Sequence, residues 1–366
     1  VTNHHEHRMQ RRSFIQTSVT AALGISQLSL APPPVLPDPK PEKLPRWRGF
    51  NLLEKFVARP TGPEAYKESD FELIAEWGFN FVRLPMSYHC WATPDPDRWK
   101  DLNEQVLKEV DQAVDFGKQH GLHVNLNLHR IPGYCVNPPA EPISLWTDAR
   151  ALEAAVFHWK HLAERYKGRP NREVTFDLIN EPTTDEASYV RVVTALVEGI
   201  RSVDPNRLII ADGLQYGNQP VPRLAALKLA QSTRGYQPMQ ISHYKAEWVS
   251  LPKDMPPPTW PGTWTNTTWN AERLRKVAIE PWLNLEKQGV GVHVGEWGCY
   301  NKTPHDVALR WMEDQLKLWK EAGWGWSLWN FRGTFGVLNS NRADVTYKPY
   351  KGMQLDEKML ALLRAY

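Results

Sequence analysis

Short apolar runs alternate with longer amphipathic segments from Arg46 to the end of the chain. The apolar runs predict eight strands, which read WRGFNLL, FNFVRLP, LHVNLNLH, VTFDLIN, RLIIAD, MQISHY, GVHVGEWG and WGWSLWNF. Between them, apolar residues recur at helical spacing. This spacing predicts helices at Leu102–His120, Ala149–Tyr166, Glu186–Val203, Glu272–Gln288, His305–Glu321 and Asp356–Leu363, with shorter ones at Phe71–Trp77 and Pro222–Leu229.

Glycine-containing turns such as QHGLHV and KQGVGV separate several of these helices from the next strand, as expected for helix C-caps. Eight strands that alternate with eight helices predict an α/β fold, a single (β/α)8 TIM barrel over residues 46–366. In such a barrel the reactive side chains lie at the carboxyl ends of the strands. The strand ends are therefore the places to look for chemistry.

The first 45 residues have a different character. Arg11 and Arg12 precede a mildly apolar stretch that ends near Ala31, so residues 1–31 resemble a twin-arginine export signal of a bacterium. The alternative is a disordered tail with two chance arginines. The stretch is too short and too interrupted by polar residues to span a membrane stably. Residues 32–45 contain seven Pro and predict a stiff, extended linker. We therefore expect a periplasmic or extracellular protein.

The composition and net charge limit the classes of binding partner that we expect. Hydrophobic residues make up 42% and charged residues 23% of the 366 positions, which is typical of a soluble globular protein. The net charge is +3, and the chain has no basic run, so nucleic acid and anionic membranes are not expected as partners. The 17 Trp are many for this length, and they suit either a Trp-rich core or stacking on sugar rings.

The cysteines do not predict a metal site. Cys90, Cys135 and Cys299 lie far apart without metal-type spacing, and we expect neither a metal nor a cofactor. A Cys90–Cys135 bridge is open for an exported protein, and buried free thiols are the other interpretation.

Polar side chains recur where the predicted strands end. They form a ring of carboxylates, one Arg, two His, one Tyr and several Trp: Glu54, Arg83, His129, Asn180, Glu181, His243, Tyr244, Glu296, Trp297, Trp329 and Asn330. Glu181 ends the apolar run VTFDLIN, and Pro182 stops that strand. Strands four and seven face each other across a barrel mouth, so Glu181 and Glu296 are expected to face each other over a cleft. Two opposed carboxyl groups are what glycosidic bond cleavage needs.

The body from about Arg46 to Tyr366 resembles glycoside hydrolase family 5, the cellulase family. The resemblance rests on RGFNLLE, GFNFVRLP, NLNLH, FDLINEP, SHY, GVHVGEWG and GWSLWNF. It implies a retaining β-glycosidase with Glu181 as acid/base and Glu296 as nucleophile.

The same resemblance implies roles for the residues around the two glutamates. Asn180 would hold the sugar 2-hydroxyl, and Arg83 and His129 would support the nucleophile and the sugar. His243 and Tyr244 would orient the carboxylates, and Trp329 would be the sugar platform. The family shows His-x-Tyr where this chain has His243-Tyr244-Lys245, so Tyr244 departs from the pattern.

The substrate is less closely specified. A β-1,4-glucan is the first expectation, and β-mannan, β-1,3-glucan and short β-glucosides stay open. Glu54 either binds a hydroxyl at the non-reducing end or pairs with Lys55 or Arg59, and Trp297 is also a candidate substrate-binding residue. Three Trp in the loop after the sixth predicted strand form either an aromatic wall for sugars or a stiff self-packed loop: Trp260, Trp264 and Trp269. A non-catalytic carbohydrate-binding barrel would need one carboxylate replaced, and both are present.

Overall fold

Eight parallel strands close into a barrel in the computed structural model, which describes residue 1 and residues 35–366. The barrel strands are β1 (Arg48–Asn51), β2 (Phe81–Ser87), β3 (His123–Ile131), β4 (Val174–Asp177), β5 (Ile209–Asp212), β6 (Ala230–Gly235), β7 (Val292–Trp297) and β8 (Trp326–Leu328). Their order is β2-β1-β8-β7-β6-β5-β4-β3, and pairing of β2 with β3 completes the ring. The predicted (β/α)8 barrel is confirmed.

Helices follow the strands and cover the outside of the barrel. They are α1 (Glu68–Glu76), α2 (Glu104–His120), α3 (Ala149–Tyr166), α4 (Glu186–Arg201), α5 (Met239–Ser242), α6 (Ala271–Leu274), α7 (Glu280–Glu286), α8 (His305–Ala322) and α9 (Glu357–Ala365). A π-helical turn at Arg275–Ile279 joins α6 to α7, 3-10 turns lie at Tyr88–Cys90, Pro96–Arg98 and Pro222–Leu227, and a tight turn lies at Leu214–Gly217. Most predicted helices are present within a few residues of their expected ends.

Local signals explain where the helices begin and end. The Asn103 side chain accepts the backbone N–H of Gln105 at the start of α2, and Gly121 ends that helix with φ 68°. Asp185 accepts the N–H of Ser188 at the start of α4. These caps satisfy backbone groups that the first and last turns leave unpaired.

The sixth strand is not the predicted one. The segment MQISHY forms the short helix α5, and β6 is the preceding AQSTRG. The strand was missed because four of its six residues are polar, although all six are buried. Gln231, for example, exchanges two hydrogen bonds with the backbone of Val221 at 2.8 and 2.9 Å, which satisfies its amide inside the protein. A buried strand with satisfied polar side chains has no apolar run to reveal it.

Part of the predicted linker packs on the amino-terminal end of the barrel. Leu44 is buried in a cluster with Trp47, and Trp47 stacks on His123 with ring centroids 3.9 Å apart. The carbonyl of Pro41 accepts the N–H of Gly291 at 2.7 Å. Residues 40–45 therefore belong to the barrel's contacts rather than to a free linker. The predicted export signal lies outside the described residues.

Short antiparallel strands lie outside the barrel sheet or at its edge. Tyr134–Cys135 pairs antiparallel with the end of β3, and two hairpins are formed by Gly262–Trp264 with Thr267–Trp269 and by Lys348–Tyr350 with Met353–Leu355. All three cysteines are free thiols, so the Cys90–Cys135 bridge is not formed. Among residues 35–366, no helix combines the length and apolarity that crossing a membrane requires.

Candidate active site

Two arginines and four carboxyl groups meet at the carboxyl ends of the strands. Arg83 of β2 is almost fully buried, and it donates from Nε to Asp177 Oδ2 at 2.8 Å and from Nη1 to Glu296 Oε1 at 2.6 Å. Its remaining donors reach Asn51 Oδ1 at 3.1 Å and Asn180 Oδ1 at 2.9 Å. Arg83 thus links the ends of β1, β4 and β7 through one planar group.

Glu296 is held by two hydrogen bonds and one further ion pair. It lies in β7 with 3% of its surface exposed. Besides Arg83, Nη2 of Arg234 lies 3.3 Å from Oε1, and the Tyr236 hydroxyl donates to Oε2 at 3.3 Å. Arg234 is its neighbour in the β6–β7 pairing, which fixes this approach. Both oxygens of Glu296 are therefore oriented by hydrogen bonds.

Glu181 projects from a strained position just after β4. Its φ is 48°, in the left-handed region that a non-glycine residue adopts at a cost. Two contacts hold the backbone there: its N–H donates to Asp212 Oδ2 at 2.8 Å, and its carbonyl accepts the Tyr134 hydroxyl at 2.7 Å. Pro182 follows directly and stops strand β4. The side chain keeps 17% exposure and accepts Arg234 Nε at 3.0 Å.

The surroundings give Glu181 an unusual proton affinity. Burial raises the pKa of its carboxyl above the ordinary value, and the nearby negative charge of Glu296 raises it further. Arg234 opposes both effects. A carboxyl group that keeps its proton near neutral pH can act as a general acid.

Asn180, His129 and Trp329 complete the floor of the site. The Asn180 amide oxygen accepts from both Arg83 and Arg234 at 2.9 Å, and its nitrogen lies 3.3 Å from His129 Nε2. His129 Nδ1 is 3.9 Å from Glu296 Oε1. Burial, and then the charge of Arg83, lower the pKa of His129 far below its usual range, so the ring is neutral. Trp329 is half-buried and stacks on His129 with centroids 5.7 Å apart, which leaves a face for a sugar.

A family model described as cellulase, glycosyl hydrolase family 5, matches residues 39–334. The chain belongs to this family. It is a glycoside hydrolase, and as a family 5 member it is a retaining β-glycosidase of the cellulase type.

Known proteins resemble it over most of its length. Endoglucanase C of Acetivibrio thermocellus is 27% identical over 76% of this chain and 88% of its own length. Cellodextrinase A of Ruminococcus flavefaciens is 26% identical over 70% of this chain and 76% of its own. A crystal structure described as a glycoside hydrolase has 40% identity and a TM-score of 0.83, and the match covers 87% of this chain and 99% of that one.

The structure corrects the identity of the tyrosine that contacts Glu296 in this family 5 enzyme. Tyr244 was predicted to orient a carboxylate, but it is buried, and its hydroxyl donates to the carbonyl of Met255 at 3.3 Å. Tyr236 takes that place because β6 ends at Gly235. His243 lies behind Tyr236, with ring centroids 4.9 Å apart, and its Nδ1 is 2.8 Å from Ser242 Oγ. The tyrosine that contacts Glu296 is therefore Tyr236, two residues after Arg234.

Trp297 does not face the cleft. It is fully buried and packs against the rings of Trp311, Trp319 and Trp326, with centroids 4.7 to 6.5 Å away. Side chains alternate in direction along a strand, so the residue after Glu296 points out of the barrel. The prediction that Trp297 binds substrate is wrong.

The Trp-rich loop after β6 packs on the protein. Trp260 is buried, and its Nε1 donates to Asp314 Oδ2 of α8 at 2.9 Å. Trp264 and Trp269 are partly buried in the hairpin against the core. The self-packed interpretation holds for this loop. The exposed tryptophan is Trp248, 58% exposed, whose ring lies 4.9 Å from Tyr300 and 6.0 Å from His243.

Glu54 lines a cavity of about 230 Å³ beside the ends of β1 and β8. It does not pair with the expected cations, because Lys55 binds Glu109 and Arg59 binds Glu64. Its Oε2 has no hydrogen-bond partner among the described residues, and burial raises the pKa of this carboxyl to about 7. The Oδ1 of Asn330, which also lines the cavity, is unpartnered in the same sense.

Sequence reasoning missed five residues of this site: Asp177, Asp212, Arg234, Tyr236 and Trp248. Asp212 ends the correctly predicted strand RLIIAD, so its position at the carboxyl end of the barrel could have been predicted from the sequence. Arg234 and Tyr236 were hidden by the misplaced sixth strand. Within the described residues, no group of three or more His, Cys, Asp or Glu side chains is arranged to hold a metal ion.

Proposed function

We propose that Glu181 is the acid/base and Glu296 the nucleophile of a retaining β-1,4-glucan hydrolase. The observation that supports these roles best is the difference between their surroundings. Glu296 is almost fully buried and is oriented at both oxygens by Arg83 and Tyr236. Glu181 is more exposed, has a raised pKa and receives one side-chain donor, Arg234.

The reaction then has two steps. Glu181 gives its proton to the leaving oxygen while Glu296 attacks the anomeric carbon, so the glycosidic bond breaks and an ester forms. In the second step Glu181 takes a proton from water, the water oxygen attacks the same carbon, and Glu296 leaves as a carboxylate. Asn180 is in place to hold the sugar 2-hydroxyl, because its amide is fixed between two arginines and His129.

The names of two relatives support a β-1,4-glucan or cellodextrin as substrate: an endoglucanase and a cellodextrinase. The test is a hydrolysis screen over defined cello-, manno-, xylo- and laminari-oligosaccharides, with the products sized. We expect cello-oligosaccharides to give the highest kcat/KM. A preference for mannan or β-1,3-linked chains of ten-fold or more would overturn the substrate while leaving the catalytic roles intact.

The Glu54 cavity supports a binding site on the non-reducing side of the cleaved bond. Asn330 follows the platform residue Trp329 in sequence, and Asn51 joins the cavity to the Arg83 network. Two acceptors that have no partner within residues 35–366, Glu54 Oε2 and Asn330 Oδ1, suit sugar hydroxyl donors. The cavity also holds Arg332, which pairs with Asp70. A polar pocket of this kind favours short glucan chains.

The exposed ring of Trp248 supports a sugar-stacking surface on the leaving-group side of the cleaved bond. An aromatic cluster of Trp248, Tyr300, Phe335 and His243 extends to Tyr236, which contacts the nucleophile. Sugar rings stack on such exposed aromatic faces. We place leaving-group sugars on Trp248.

Export through the twin-arginine route is part of the proposal, and it is supported by Arg11 and Arg12 and by the composition of residues 1–31. The test replaces both arginines with Lys in the full chain. We expect the protein to accumulate in the cytoplasm. Unchanged export of the double variant would contradict the proposal, and the barrel's activity after cell lysis serves as the control for folding.

A further inference from the structure

Arg234 is the most connected side chain of the site. It lies near the end of β6, is 3% exposed, and donates to Glu181 Oε1 at 3.0 Å, Asn180 Oδ1 at 2.9 Å and Asp212 Oδ1 at 3.0 Å. A second bond joins it to Asp212 Oδ2, and Ser232 Oγ accepts at 3.0 Å. Its Nη2 is also 3.3 Å from Glu296 Oε1. One guanidinium therefore touches both carboxylates of the proposed reaction.

Asp212 is the partner that makes a buried arginine stable here. It is fully buried and binds two nitrogens of Arg234, and its Oδ2 also accepts the backbone N–H of Glu181. A buried charge is tolerated when it is paired and its hydrogen bonds are satisfied. The Asp212–Arg234 pair thus positions Glu181 twice, at its backbone and at its carboxyl group.

The charge count of the site explains what an arginine adds. In the proposed reaction Glu296 starts as a carboxylate and Glu181 holds its proton, so the two glutamates together carry one negative charge beside the pairs Arg83–Asp177 and Arg234–Asp212, which the reaction does not change. In the glycosyl-enzyme, Glu296 is a neutral ester and Glu181 has given its proton to the leaving group. The net charge is again one negative, and it has moved from Glu296 to Glu181.

We infer that Arg234 is a positioning residue that serves as the shared counter-ion for both carboxylates, so that the negative charge passes from Glu296 to Glu181 under one guanidinium. This rests on the proposed roles of the two glutamates. The permanent charge of arginine stabilises the ionised base of the second step, which a neutral side chain at this position would not do. Its loss should therefore slow hydrolysis of the glycosyl-enzyme more than its formation.

Other groups face Glu181 and stay in place in the test. Glu296 and Asp212 raise its proton affinity, and Arg234 lowers it. The Tyr134 hydroxyl binds its backbone carbonyl, and His129 and Tyr236 lie across the site as neutral groups, because burial lowers the pKa of His129 and raises that of Tyr236. Arg234 is thus the cation in direct contact with Glu181.

The test compares Arg234→Gln with Arg234→Lys in the full-length protein, using rapid mixing with 2,4-dinitrophenyl β-cellobioside. Departure of dinitrophenolate needs no acid, so the loss in the first turnover of Arg234→Gln should be at least about ten-fold smaller than the loss in the steady-state rate. The steady-state rate should fall by about 10²-fold, the low end of what general base help contributes. Azide needs no base, so it should restore the steady-state rate and give the β-azide.

The pH profile supplies the second readout. With the cation removed, the pKa of Glu181 should rise, so the alkaline limb of kcat/KM on cellotetraose should move to higher pH by about one unit or more, a shift that corresponds to about 1.4 kcal/mol. Arg234→Lys keeps the charge and should keep the limb near its wild-type position. Asp212→Asn combined with Arg234→Gln removes both partners of the buried pair. If Arg234→Gln fails to fold, the double variant replaces it in the rapid-mixing comparison, where azide rescue is the readout, because the opposing effects of Asp212 and Arg234 on the pKa of Glu181 are then both lost.

The test distinguishes failure of the counter-ion inference from failure of the proposed acid/base role of Glu181. Equal loss of the first turnover and the steady state, with an unmoved alkaline limb, would show that Arg234 only supports the structure, and the inference fails. Glu181→Ala is assayed beside it. If Glu181→Ala also lacks azide rescue, the proposed acid/base is wrong. If Glu181→Ala is rescued and Arg234→Gln is not, the counter-ion inference alone is overturned.

Discussion

The hydroxyl of Tyr236 donates to Oε2 of Glu296 at 3.3 Å, on the side opposite the Arg83 contact at Oε1. Arg83 lies in β2 and Tyr236 directly follows β6, and together they fix the carboxylate plane. Tyr236 is partly buried, and the loss of solvent around its hydroxyl together with the negative charge of Glu296 raises the pKa of that hydroxyl. The phenol therefore stays a donor throughout the working pH range.

Removing that hydroxyl should weaken the nucleophile. For Tyr236→Phe we expect kcat to fall by roughly 10- to 100-fold, because a hydrogen bond to a charged group is worth about 1.5–3 kcal/mol. Tyr244→Phe is the matched control, since its hydroxyl binds the Met255 carbonyl instead. It should change kcat by less than about three-fold. A larger defect in Tyr244→Phe than in Tyr236→Phe would restore the original sequence-based assignment.

The pH profile should report the raised pKa of Glu181. The acid is active while protonated, so kcat/KM on cellotetraose should be retained above pH 4.5 and fall as the pH rises through that elevated pKa. In Glu181→Ala, cleavage of dinitrophenyl cellobioside needs no acid, so the alkaline limb should vanish for the first turnover. A limb that persists unchanged in this variant would assign it to another group.

Glu54 should make stability depend on pH. Burial raises the pKa of its carboxyl to about 7 in the folded state, against 4.5 as the ordinary value. Between these values the unfolded chain loses the proton first, so stability falls as pH rises. Glu54→Gln removes this cost and should stabilise the protein at pH 7.5, by on the order of 1–3 kcal/mol, and much less at pH 4. Thermal melts at both pH values test this.

The same substitution should weaken substrate binding if the cavity holds a sugar. We expect KM for cellotetraose to rise several-fold in Glu54→Gln, and kcat for dinitrophenyl glucoside to stay the same. Stabilisation without any change in KM would show that the cavity is not a sugar subsite.

Trp248 should matter only for substrates with sugars on the leaving side. For Trp248→Ala we expect kcat/KM to fall about 10-fold on cellopentaose, since stacking of an aromatic ring contributes on the order of 1 kcal/mol or more. Activity on dinitrophenyl cellobioside should hold within two-fold. Trp248→Phe, which keeps an aromatic face, should recover most of the loss. An equal loss on both substrates would place Trp248 outside the leaving-group side.

The sequence predicted those parts of the molecule that have a periodic apolar pattern. Seven of the eight strands and most helices were located, because buried parallel strands such as VTFDLIN are continuously apolar. Strand β6 escaped because Gln231, Ser232, Thr233 and Arg234 are polar and buried together, and their hydrogen-bond partners come from other parts of the chain. An apolar pattern cannot reveal a strand whose buried polar side chains form hydrogen bonds with distant parts of the chain.

The site residues also divide into those that a strand pattern locates and those that only tertiary contacts reveal. Glu181 and Glu296 were found because each stands at the end of a recognisable strand. Asp212 and Arg234 were not, since their importance lies in contact with each other and with Glu181, which sequence spacing does not show. Trp297 was wrongly included because proximity in sequence to Glu296 does not tell which side of the strand a residue faces.

Azide distinguishes the two roles proposed for Glu181 and Glu296. Azide is added to Glu181→Ala and Glu296→Ala with dinitrophenyl β-cellobioside, and the configuration of the product is read by NMR. Glu181→Ala should form the glycosyl-enzyme and release it to azide as the β-azide. Glu296→Ala leaves a space beside the anomeric carbon, where azide should attack directly and give the α-azide. The opposite pair of products would swap the two roles, and near-full activity of both variants without azide would contradict the account.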